Sequence, residues 1–79
     1  MPQVKTVRPD GDRIKELRLD LGLTPAMVGE RCATPRHAQT IRSLERGMEA
    51  SEILVAQVAR ALKVKLSDIT RREQNGQAA

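Results

Sequence analysis

Helix punctuation recurs along this chain at intervals that leave room only for brief helices. Asp10, Thr24, Thr34 and Ser51 each offer a side-chain oxygen able to accept an orphan backbone amide at a helix start. At Thr24 and Thr34 the next residue is proline, which suits a first helical turn because its missing N–H has no helical partner there. Gly22 followed by Leu23 reads as a left-handed helix stop with its apolar contact, and Gly47 reads as another stop. Between these signals the apolar residues fall at helical spacing. A first helix is expected over roughly 11–21, with Ile14, Leu17 and Leu21 inward. A second opens at Thr24-Pro25 with Met27, Val28 and Cys32 on its apolar face, and a third opens at Thr34-Pro35 with Ile41 and Leu44 in the core. A fourth runs from Ser51 through Leu62, burying Val55, Val58, Ala59 and Leu62, and a short fifth from Lys65 to about Arg72 is anchored by Leu66 and Ile69. Gly29, inside the second helix, weakens it and implies that another backbone comes close there. No β-branched run alternates at period two over a useful length, so the expected fold class is all-α, a compact bundle of five short helices.

With 79 residues the chain has room for one domain, divided by expectation into an N-terminal arm (1–10), a helical domain (11–70) and a polar C-terminal tail (71–79). A single cysteine removes disulfide support and fits a reducing compartment. One Cys and one His cannot furnish a closed zinc site, so no metal or other cofactor is expected. No apolar stretch reaches the length of a membrane helix and MPQVKTVRPD lacks the apolar centre of a signal peptide, which points to a cytoplasmic, nucleoid-associated protein with no membrane partner. The formal net charge of +4, with acidic residues scattered among the basic ones, suggests an anionic partner met by a folded surface. The chain has no Phe, Tyr or Trp, which counts against modules that stack single-stranded bases on aromatic rings and leaves duplex DNA as the better candidate. Catalysis is not expected. Cys32 and His37 are the only nucleophile and base close in sequence, nothing supplies a third orienting group, and no phosphate loop, dinucleotide fingerprint or metal motif occurs.

Three strings then stand in order: IKELRLDLGLT near the start, TIRSLERG from Thr40 to Gly47, and VARALKVKLSDI towards the end. Together they resemble the lambda-repressor and Cro type of helix-turn-helix domain, also called the xenobiotic-response-element family, over Gly11 to about Ile69. The resemblance implies that helices two and three form the helix-turn-helix, that helix three lies in the major groove as recognition helix, and that helix two crosses the sugar-phosphate backbone. With Ile41 and Leu44 inward, the opposite stripe of helix three carries Arg36, Gln39, Ser43 and Arg46, with His37, Thr40 and Arg42 on its margins. By family position Gln39 and Ser43 are the base readers, followed by Arg42, and Arg36 is added to them as a residue that a backward extension of helix three would aim at a guanine. Thr24, His37, Thr40 and Arg46 are placed for phosphate. Arg18 and Glu45 match positions where the family carries an ion pair tying helix one to the end of helix three.

The sequence departs from the family pattern at several points. Pro25 stands where a glutamine is usual, Ala33 replaces a turn glycine, and the stretch from Val28 to Thr40 is two residues longer. Thr34-Pro35 is expected to absorb that extra length by extending helix three backwards, so that Arg36 and His37 ride on it. Met48, Glu49 and Ala50 lack the basic residues that often touch phosphate, and Lys63 replaces the glycine that commonly stops helix four. The function implied is a sequence-specific transcriptional regulator, a repressor binding a double-stranded operator as a homodimer at least on DNA, with no small-molecule effector. The alternative is an interaction module on the same fold, such as an antitoxin that holds a partner toxin.

Overall fold

A computed structural model describes residues 5–71. Its order is β1 (Thr6–Val7), α1 (Gly11–Asp20), α2 (Pro25–Arg31), α3 (Ala38–Glu45), β2 (Ala50–Ser51), α4 (Glu52–Ala61) and a 3-10 helix (Leu66–Ile69). Among the described residues the fold is mostly helical, with four α-helices.

The caps expected from sequence close three of the four helices at their starts. Asp10 Oδ1 accepts from the Arg13 amide (3.2 Å), Thr24 Oγ1 from that of Met27 (3.1 Å) and Ser51 Oγ from that of Leu54 (3.1 Å). Three helices also end alike, with the chain reversing through a left-handed residue and an amide reaching back to the carbonyl five residues earlier. Leu23 N–H bonds Arg18 O (3.0 Å), Met48 N–H bonds Ser43 O (3.2 Å) and Val64 N–H bonds Ala59 O (2.9 Å). The reversing residues are Gly22 (φ 71°), Gly47 (φ 85°) and Lys63 (φ 63°), so the lysine adopts the conformation of the glycine it replaces.

Ile14, Val28, Ile41, Leu44, Val55, Val58, Leu62 and Ile69 form one aliphatic core, joined by Leu23, Cys32 and Ala59. Two expected core residues lie outside it. Leu21 is 44% exposed because it precedes the Gly22 reversal, which turns it outward and hands the buried place to Leu23. Met27 is 40% exposed because the seven-residue α2 turns only Val28 and Gly29 fully inward.

The ends of the domain differ from expectation. The fifth element is a four-residue 3-10 helix ending at Ile69, since beyond it the chain extends to pair with the N-terminal segment. Pro9 bridges Thr70, and Arg71 N–H donates to Arg8 O (2.8 Å). Residues 5–10 are thereby fastened on both sides, because Thr6 and Val7 pair antiparallel with Ser51 and Ala50 in a small sheet that was not foreseen. Arg72 and the rest of the expected tail lie outside the described residues.

Candidate nucleic-acid interface

Helix α3 does not begin at Thr34-Pro35. It starts at Ala38, with His37 extended at its N-cap position and making no side-chain cap bond. The reason lies in α2. Arg36 N–H donates to Gly29 O (3.0 Å), and the Arg36 carbonyl settles so close to Gly29 that a Cβ there would overlap its oxygen. A backbone committed to Gly29 cannot supply the first turn of α3, so the Thr40 amide bonds His37 O (3.0 Å) instead. Thr34 spends its amide on Gln57 Oε1 of α4 (3.4 Å). The glycine at position 29 does meet a close backbone, and the two extra residues fold back over α2 without lengthening α3.

Within α3, Ile41 and Leu44 are buried, while Gln39 and Arg42 are exposed and Thr40 and Ser43 half-buried, and Arg46, the residue that caps its C-terminus, is exposed. Gln39, Ser43 and Arg46 follow one another at spacings of four and three residues, which aligns them on one stripe. Arg46 Nη2 lies 3.5 Å from Ser43 Oγ. His37 is exposed at the start of the helix and Thr24 is exposed at the start of α2, which packs against α3. The Thr24 oxygen already accepts from the Met27 amide, leaving its O–H to donate outward. Arg36 sits in the connection, half-buried, and its Nε is enclosed without a hydrogen-bond partner among the described residues.

Arg18 and Glu45 are brought together across 27 positions of chain. Arg18 Nε donates to Glu45 Oε2 (2.5 Å), Nη2 to Glu45 Oε1 (3.2 Å) and Nη1 to the Leu23 carbonyl (2.9 Å). Their side chains are only 10% and 11% exposed. One guanidinium thus ties α1 to the end of α3 and to the turn that launches α2. Glu45 is also the sole acidic residue of α3, and Arg18 holds its carboxylate. The outward face of α3 is left with positive and neutral polar groups.

Cys32 is buried, with Sγ donating to Val28 O (3.4 Å). Burial pushes its thiol pKa up, partly offset by the Arg36 charge. Gly11, whose role sequence reasoning missed, has no room for a Cβ against the Glu45 carbonyl, and it sets how closely α1 meets α3. Arg8 and Arg71, also missed, line a cleft shared with Arg46. Only the tertiary pairing of residues 8–10 with 69–71 reveals them, and two-residue strands carry no periodicity to read. Among the described residues no cluster of His, Cys, Asp or Glu could hold a metal ion, and no helix is long and apolar enough to cross a membrane. Comparison with known proteins returns no matching family model, no matching curated protein and no matching solved structure.

Proposed function

We propose that this chain is a sequence-specific transcriptional regulator, a repressor that binds duplex DNA with α3 in the major groove and α2 across the backbone, as the resemblance to the lambda-repressor and Cro type implies. The observation that carries the reading is the outward stripe of α3, Gln39, Arg42, Ser43 and Arg46, held rigid by buried Ile41 and Leu44 while Glu45 is turned to Arg18. Gln39 suits bidentate pairing with adenine, Arg42 with guanine, and Ser43 serves several bases. Arg46, His37, Thr40 and the Thr24 hydroxyl contact phosphates and fix the register. Arg36, off the helix and half-buried, drops out of the base-reading set. Cys32, inward and held as a thiol, serves the core and not catalysis.

One such helix reads few base pairs, so two copies bind a twofold-related operator with half-sites about 34 Å apart. Sedimentation with operator should show two chains per duplex, and a strict one-to-one complex would contradict this. Titration of labelled duplex across a salt series tests the reading itself. Affinity should fall steeply with salt as counterions are displaced, whereas undetectable binding or a flat dependence would refute it.

A further inference from the structure

Helix α4 packs on α2, the 3-10 helix and both strands, while one stripe of it reaches solvent. Glu52, Ala56 and Arg60 follow one another at spacings of four, which sets them on a single ridge, with Ile53 beside it. Ile53 is 67% exposed, more than any other large apolar residue described. Alone, one exposed isoleucine needs no explanation. The ridge beside it is another matter, because it reads acid, small residue, base, a charge palindrome centred on Ala56. Arg60 has no ion pair or hydrogen bond from its side chain among the described residues. Glu52 meets Lys5 at 3.6 Å, in a bridge whose side chains are 74% and 39% exposed. So exposed a bridge is worth little and exchanges readily.

A twofold axis beside Ala56 sets Glu52 of one copy against Arg60 of a second copy at both ends of the contact, each about 6 Å along the helix from the axis. Ala56 lets the two ridges approach, and Ile53 gains cover from the aliphatic stem of the opposing arginine. A parallel arrangement would set like charges opposite each other, so the palindrome also dictates the antiparallel sense. We infer that α4 is the face through which two copies of this chain associate, antiparallel about Ala56. This deepens the two-copy reading above and rests on it for the operator, whereas the ridge itself does not depend on DNA. α4 has ten residues, about 15 Å of helix, and one ridge of it buries less than the roughly 1,200 Å² of a stable interface. Pairing is therefore weak in free protein and is reinforced where one duplex holds both copies.

The test is charge exchange in the full chain, using Glu52→Arg, Arg60→Glu and the double variant, which keeps the net charge of wild type. Analytical ultracentrifugation at low salt follows mass against protein concentration, for free protein and on duplex retained by wild type from a random pool. Wild type and the double variant should reach two chains. Each single variant should pair more than about tenfold more weakly, because like charges meet at both ends. An equal mixture of the two single variants should recover pairing, since every acid again meets a base, and unfolded variants could not complement in this way. Circular dichroism checks the helix content of each. Single variants that pair as wild type does, or a mixture no better than either alone, overturn the interface. Wild type that remains one chain both free and on duplex overturns it too. If the mixture complements in free protein while no duplex is bound, the interface stands and the duplex reading fails. If two chains occupy each duplex whatever the charges at 52 and 60, the duplex reading stands and α4 is not where the copies meet.

Discussion

Replacing Glu45 by alanine should destabilise the protein far more than the loss of an ordinary surface ion pair. The substitution removes two charge-assisted hydrogen bonds from Arg18, at 2.5 and 3.2 Å, and leaves its guanidinium one bond, to the Leu23 carbonyl. The Arg18 side chain is only 10% exposed, so water replaces the carboxylate poorly. Breaking a buried pair from one side costs about 3–5 kcal/mol, a large part of the roughly 4–12 kcal/mol total stability of a chain this size. Arg18→Met should cost a similar amount, since it strands the Glu45 carboxylate and the Leu23 carbonyl together. The double variant Arg18→Met with Glu45→Leu should recover most of the loss, ending about 1–2 kcal/mol below wild type because Leu23 O still lacks its donor. Urea unfolding followed by far-ultraviolet circular dichroism is the assay, as the chain has no Trp or Tyr to report by fluorescence. A Glu45→Ala loss under about 1 kcal/mol, or a double variant as weak as the sum of the singles, would refute the argument that the pair acts as one desolvated unit.

Three further outcomes follow from the same geometry. Gly29→Ala should destabilise despite the roughly 1 kcal/mol of added helix propensity, because the new Cβ displaces the Arg36 backbone; a stabilised variant in urea melts would contradict this. Lys63→Gly should raise stability by about 1 kcal/mol by relieving a left-handed lysine, and unchanged or lower stability would show that no strain resides there. For Cys32 the folded thiol holds its proton more tightly than the unfolded one, so stability is insensitive to this group below pH of about 8.5 and falls as pH rises beyond it, where the unfolded chain ionises first. Cys32→Ala should lack that added alkaline slope, and identical slopes in the two proteins would contradict the assignment.

What the sequence disclosed was local chemistry. Asp10, Thr24 and Ser51 announced helix starts because capping needs only a side chain and an amide three residues on, and Gly22 and Gly47 announced ends because a reversal needs a positive φ. The approach to Gly29 was legible as well, though not what approaches it. The start of α3 was misread because Thr34-Pro35 satisfies the same local rule, and only the tertiary tie from Arg36 to Gly29 overrules it. Leu21 and Met27 were misassigned at the edges of apolar stripes, where one residue of helix length decides the face. The short strands and the arginine cleft depend on pairing between residues more than 40 positions apart in the chain, which no local pattern encodes. In the candidate site, the exposure of Gln39, Arg42 and Arg46 follows from helical period alone, while the neutralisation of Glu45 required its distant partner.

The central claim is that the outward stripe of α3 reads bases in duplex DNA. Its most direct test is selection and sequencing of duplexes retained from a random pool by wild type, Gln39→Ala and Arg46→Ala. Wild type should enrich a defined site; Gln39→Ala should lose preference at one position of each half-site, and Arg46→Ala should keep every preference while retaining less DNA overall. A wild-type pool that stays random, or a Gln39→Ala pool with preferences identical to wild type, would contradict the account.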